Sequence, residues 1–120
     1  MKSLSIKQPY AELIIQGKKK IELRKWNTKF RGEFFIHSSR IPDEIAMKKF
    51  GFENLPFGFL VGKVTLTNVK KYNNEMEHNK DNSLHLASSV WGDYGFILEK
   101  PERIKLIPYK GQLNFFEVKL

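Results

Sequence analysis

The chain has 120 residues, with 21 Lys plus Arg against 13 Asp plus Glu, a net charge of +8 and a pI near 9.7. That length suits one domain over residues 1–120 and excludes a large multidomain enzyme, while 41% hydrophobic and 13% aromatic residues supply a core and exclude a disordered basic tail. The lack of cysteine removes disulfides and thiolate chemistry; with no apolar run near the ~20 residues of a membrane span and no signal-like N-terminus, the expected setting is the cytoplasm, without a membrane partner.

Taken in chain order, Leu4–Ile6 predicts a short first strand. Gln8-Pro9 then opens a helix over residues 9–16, because proline at the first helical position has its φ preset and no N–H to lose. Tyr10, Leu13 and Ile14 share one face of it, and Gly17 suits a left-handed cap. The alternation in Lys20-Ile21-Glu22-Leu23-Arg24 predicts a half-exposed strand with Ile21 and Leu23 inward and Lys20, Glu22 and Arg24 as a charged outer row. A turn-like polar stretch over 26–32 precedes a third strand, Glu33–His37.

Pro42-Asp43-Glu44 opens a second helix that ends near Lys48-Lys49, as the helix dipole favours, with Gly51 as its cap. Phe59–Val69 is the longest strand signal, and Gly62 within it marks a bulge or bend. Tyr72–Ser83, rich in Asn, is expected as a surface loop or mobile flap, followed by a helical turn around Leu84–Val90. Tyr94–Leu98, Ile104–Ile107 and Phe115–Val118 supply three more strands, separated by turns at Lys100-Pro101 and Lys110-Gly111. Six or seven short strands with two or three short helices predict an α+β protein, a small mixed β-barrel with helices packed on it.

The charge is local. Residues 1–31 hold nine Lys and Arg against Glu12 and Glu22, which accounts for seven of the net eight positive charges. A field of this kind attracts polyanions, and nucleic acid is the commonest of these in the cytoplasm; the competing reading is that the lysines serve solubility. Within the stretch, Gly17–Trp26 combines the triple lysine Lys18–Lys20 with Lys25, one carboxylate, Arg24 and an indole. Lys19, Lys20 and Arg24 can neutralise phosphates, and Trp26 can stack on an unpaired base. Glu22 and Arg24, two apart on one strand face, can pair, so that Glu22 presents Arg24. Lys19, crowded by Lys18, Lys20 and Arg24, is expected to have a lowered pKa, with Glu22 opposing the shift. The plain alternative is a solvated basic strand whose tryptophan closes the core.

Elsewhere the signals thin out. His37, His78 and His85 lack metal-ligand spacing, and no phosphate loop, dinucleotide glycine pattern or serine-hydrolase elbow occurs, so neither a metal nor another cofactor is expected. His37 reads as a cleft residue or as a histidine satisfied at the barrel end. Trp91 with Tyr94 and Phe96 reads more readily as core packing than as a second stacking patch.

The segment Ser5–Trp26 resembles the signature of ASCH domains, S-I-x-x-P-x-A-x-L-I-x-x-G-x-K-x-x-E-x-R-x-W, which Ser5, Pro9, Ala11, Leu13, Ile14, Gly17, Lys19, Glu22, Arg24 and Trp26 fit. Phe30-Arg31-Gly32, Ile36-His37, Leu60–Val64 and Pro108–Leu113 are similar to later parts of the family pattern, so the resemblance spans nearly the whole chain. It implies a PUA-like fold and binding of RNA or single-stranded nucleic acid in RNA metabolism or translation-linked regulation. Lys19, Glu22 and Arg24 would then line a basic cleft, with Trp26, Arg31 and His37 beside it. It also implies an alternative, an amidohydrolase acting on 4-acetylcytidine or a ribonuclease, with Lys19 and Glu22 as catalytic groups. Lys19 matches that branch's lysine, Glu22 stands where the branch has threonine, and Glu75 and Glu77 are the candidates for its distant glutamate.

Overall fold

In the computed structural model, which describes residues 1–120, six strands form one curled sheet. In chain order the elements are β1 (Lys2–Ile6), α1 (Tyr10–Ile15), β2 (Ile21–Arg24), β3 (Gly32–Ser38), α2 (Glu44–Lys49), β4 (Phe59–Lys71), α3 (Glu75–Lys80), α4 (Asn82–His85), a 3₁₀ turn (Ser89–Trp91), β5 (Tyr94–Pro108) and β6 (Phe115–Glu117). The sheet order is β2-β5-β4-β3-β1-β6, and only β1 and β3 run parallel.

The curl has a local cause. Pairing between β4 and β5 slips at three places, and that between β3 and β4 once, at Ile36/His37; each slip bends and twists the strands. Gly62 sits at one of these slips, where a Cβ would lie 2.6 Å from the Glu102 carbonyl, so the bend predicted there requires glycine. The sheet remains open at its β2 and β6 edges, and side chains bridge the gap. Phe96 of β5 and Phe115 of β6 stack at 6.2 Å, and Trp26 packs perpendicular to both at 5.3 and 5.8 Å. A half-barrel results, filled by Leu4, Ile6, Ile14, Phe34, Ile36, Leu66, Phe96 and their neighbours, whose burial drives the fold.

Both early helices start and stop much as their sequences predict. Asp43 caps α2 through the Ala46 amide, and Gly17 and Gly51 adopt the left-handed backbone after α1 and α2. Pro9, however, precedes α1 as its cap residue rather than forming its first turn.

Three other expectations need correction. The separate strands at 94–98 and 104–107 are one strand, β5, because the Lys100-Pro101 "turn" is a bulge: Lys100 takes φ 55°, and the pairing passes from Thr65↔Glu99 to Lys63↔Glu102, skipping the proline that lacks an N–H. The Asn-rich stretch is no open loop, since Tyr72, His78 and His85 are all buried, with α3 packed on α4 and α4 on β2. Nor is β2 charged on an open face. Glu22 is 8% exposed, because the side that alternation assigns to solvent faces Lys19, Arg24 and the cleft described next, while Tyr72 and Ala87 pack on the Ile21 and Leu23 side; only Lys20 is fully outside.

Candidate functional site

The site begins where α1 ends. The amides of both Lys18 and Lys19 donate to the Leu13 carbonyl, and this tight wrap after Gly17 turns Lys19 inward. Lys19 is 2% exposed. Its ammonium donates to the His85 carbonyl, lies 3.5 Å from Glu22 Oε1 and sits 4.9 Å above the Tyr10 ring. An ammonium has three N–H groups, and these three neighbours occupy them. Burial lowers the Lys19 pKa, Glu22 works against the shift, and Arg24 adds to it. The direction agrees with the sequence-based expectation, but the leading cause is desolvation; Lys18 and Lys20 point to solvent and do not contribute.

Glu22 is shared. Its Oε2 accepts from Arg24 Nη2 at 2.9 Å, and the same nitrogen donates to the Ser5 carbonyl at 2.8 Å. Arg24 is thereby held in one orientation, with Nη1 left for a ligand and a buried Nε that has no partner. Tyr10 faces the same space. Burial, followed by the charges of Asp43 and Glu22, pushes its phenol up to about 12, so at neutral pH it is a hydrogen-bond donor.

These groups floor a cleft of about 680 Å³ between β2 and the loops that precede β5 and β6, a size within the range of small-ligand sites. Lys7 and Lys25 stand at its exposed rim, Trp26 and Trp91 at its sides, and Gln112–Asn114 opposite the 3₁₀ turn. Trp91 meets Tyr10 edge to face at 6.2 Å. Of the patch weighed as core, Phe96 is core, Tyr94 packs against it, and Trp91 belongs to the cleft.

Of the residues singled out from the sequence, Lys19, Glu22, Arg24 and Trp26 converge on this cleft. Lys20 lies outside it, on a separate hollow of about 330 Å³. Arg31 is exposed and donates to the carbonyls of Thr28 and Phe30 at 2.9 and 2.8 Å. His37 is buried behind the wall, between Ser5 Oγ at 2.8 Å and the Tyr109 carbonyl at 2.7 Å. Neither Glu75 nor Glu77 lines the cleft; Glu75 accepts from Ser89 Oγ and Glu77 from the Asn73 amide. Nowhere do three His, Cys, Asp or Glu side chains converge as metal ligands.

Tyr10, Lys7, Lys25, Gln112 and Asn114 are cleft residues that sequence reasoning missed. Tyr10 was legible as one of the helix's inward face, but the pattern carries no mark of a cleft. No spacing rule links residue 112 to residue 24.

An open, curled six-stranded sheet with short helices over its mouth and a charged cleft beside β2 defines a PUA-like α+β protein. The ASCH domain profile matches residues 4–118, and the chain belongs to the ASCH domain family. Crystal structures of an ASCH protein from Zymomonas mobilis share the fold at 13% identity, covering 98% of this chain and 87% of that one, with a TM-score of 0.71. Two of its single-residue mutants superpose similarly, at 13% identity over 98% of this chain and 87% and 89% of theirs, with TM-scores of 0.73 and 0.74. No curated protein matches the chain in sequence. No helix is long and apolar enough to cross a membrane.

Proposed function

We propose that the cleft binds RNA or another single strand of nucleic acid. The observation that carries this reading is the arrangement around Arg24: a guanidinium fixed by Ser5 and Glu22 with Nη1 unengaged, flanked by the indoles of Trp26 and Trp91 and by the ammonium groups of Lys7 and Lys25. Arg24, Lys7 and Lys25 contact phosphate or the acceptor edge of a base, and the indoles offer stacking faces that suit unpaired bases. Lys19 and Glu22 form the floor, and Tyr10 donates a hydrogen bond. Association of the family with RNA binding supports the reading. Its setting is RNA metabolism or translation-linked regulation in the cytoplasm.

A fluorescent single-stranded RNA of eight nucleotides tests it. Arg24→Ala is expected to weaken binding about tenfold, equivalent to about 1.4 kcal/mol. Equal affinity of wild type and variant contradicts the proposal.

One observation favours a second reading, hydrolysis of a nucleoside amide or of RNA. Lys19 is a buried amine with a lowered pKa beside a carboxylate, and such a pair can move a proton. Only Glu22 supplies a carboxylate to the cleft. Incubation with 4-acetylcytidine and with short RNA, alongside Glu22→Gln, decides it: turnover abolished by the substitution establishes an enzyme, and no turnover leaves binding as the function.

A further inference from the structure

The cleft stands between two loops, and a buried histidine lies behind each. On one side, His37 of β3 holds the loop that supplies Gln112, Leu113 and Asn114. Its Nε2 is 2.7 Å from the Tyr109 carbonyl and must donate to it, so in the neutral ring Nδ1 accepts from Ser5 Oγ at 2.8 Å. The loop lies against the imidazole so closely that a Cβ at Gly111 would fall 2.7 Å from His37 Cε1.

On the other side, His85 holds the loop that supplies Ala87, Val90 and Trp91. The Ala87 amide donates to Nδ1 at 3.1 Å, which fixes the tautomer, and Nε2 then donates to the His78 carbonyl at 2.9 Å. The carbonyl of the same residue takes the Lys19 ammonium. The imidazole therefore ties α3 to the cleft loop, and the backbone of the same residue holds the floor lysine.

We propose that His37 and His85 are positioning residues that hold the two walls of the cleft, and that the cleft keeps its ligand-binding shape only while both imidazoles are uncharged. The inference about binding rests on the nucleic-acid reading above; the inference about the walls does not.

The chemistry follows from the bonds. A proton on His85 Nδ1 replaces an acceptor with a donor facing the Ala87 N–H, so that contact must break. The charged groups around His85 do not welcome it. The His78 carbonyl that accepts from Nε2 favours the charge, and Lys19, before β2, works against it; Asp81, between α3 and α4, favours it, but its carboxylate already accepts from Lys70 and from Tyr72, whose ring also packs on His85. At His37 no bond need break, since the Ser5 hydroxyl can accept from a protonated Nδ1; the difficulty there is a buried charge whose neighbours, Ser5 of β1, Phe116 of β6 and Tyr109 of the loop, include no carboxylate, and of these only the Tyr109 carbonyl opposes burial. Burial is the leading cause that lowers both histidine pKa values. Mild acid therefore loosens the walls, although it adds positive charge to a protein whose ligand is an anion.

Two measurements test this. Binding of the eight-nucleotide RNA is followed at pH 7.5 and 5.5 in wild type, His37→Gln and His85→Gln, since glutamine retains an N–H near the Nε2 position and does not titrate. The wild type is expected to lose at least fivefold in affinity at the lower pH, and each variant to lose less. Affinity that holds or rises on acidification overturns the proposal, as does an equal loss in folded variants. In parallel, NMR of the wild type alone follows the two imidazoles together with the amides of residues 86–91 and 109–114. The wall amides are expected to shift and exchange faster with the histidine midpoints while those of β3 and β4 hold. Imidazoles that protonate with the wall amides unmoved overturn it, even if either variant fails to fold. Wild-type protein that binds no RNA at any pH contradicts the binding function, and the NMR result still decides the role of the histidines.

Discussion

At the scale of single residues, the floor of the cleft separates charge from availability. Lys19 is the most buried cation, yet its three N–H groups already face His85, Glu22 and Tyr10, whereas Arg24 keeps Nη1 open. Lys19→Met is therefore expected to cost stability more than affinity. Loss of the donor to a buried carbonyl and of one partner of Glu22 is worth about 1–3 kcal/mol, to be read from denaturant unfolding. Its effect on RNA affinity should be smaller than that of Arg24→Ala. The reverse ranking would make Lys19 the direct contact.

The buried histidines give the molecule a pH dependence whose sign is fixed. His37 and His85 have folded-state values below the ordinary 6.5, so the unfolded chain binds more protons over that interval. Their contribution to stability is complete above about pH 6.5 and is lost as the pH falls through the folded-state values. Thermal unfolding between pH 7.5 and 5 should show Tm falling, with a shallower fall in His37→Gln and His85→Gln. A wild-type Tm that rises over this range contradicts the assignment.

At the scale of elements, the α3–α4 segment is the part that local reasoning read least well. Its polar composition hides three inward residues, Tyr72, His78 and His85, whose rings pack on one another at 4.3 to 6.1 Å. A signal was present in Asn74 followed three residues later by Glu77, a pairing that favours a helix start; Asn74 accepts from the Glu77 amide, and the Glu77 carboxylate accepts from the Asn73 amide. The link from this segment to β5 is equally constrained. Gly92 has φ 134°, and a Cβ there would lie 2.1 Å from the Arg24 carbonyl oxygen, whereas Gly51 has φ 77° with open space around it. Gly51→Ala should cost about 1–2 kcal/mol from its left-handed backbone alone. Gly92→Ala must also displace the end of β2, and is expected to cost more and to disturb Arg24. Calorimetry of the two variants checks the order; equal melting points would mean that the link yields easily.

Across the whole molecule, the parts legible in the sequence are those where neighbours in space are also neighbours in the chain. Lys19, Glu22, Arg24 and Trp26 lie within eight residues on one turn and strand, so their convergence could be anticipated. The charged outer row could not be read correctly, because alternation tells which residues share a face and not what covers that face. Glu22 faces a cleft whose walls come from Ala87, Val90 and Trp91 on one side and from Gln112, Leu113 and Asn114 on the other, all distant in the chain. The continuous β5 was missed for a related reason: a proline normally breaks a strand, and only the partner strand's register shows that a bulge has absorbed it. The net charge behaves likewise. Of the many lysines in residues 1–31, the cleft gathers Lys7, Lys19 and Lys25 with Arg24, while Lys18, Lys20 and Lys29 remain in solvent.

A cleft that binds a single strand through these cations must release counterions when it does so. The most direct measurement is the affinity of wild-type protein for the eight-nucleotide RNA across a salt series, compared with Lys7→Ala/Arg24→Ala/Lys25→Ala. The account predicts a straight line of log affinity against log salt with a slope of about −0.7 for each phosphate contacted, and a shallower line with weaker binding in the triple variant. Affinity that ignores salt, or a triple variant that matches the wild type in slope and strength, would contradict it.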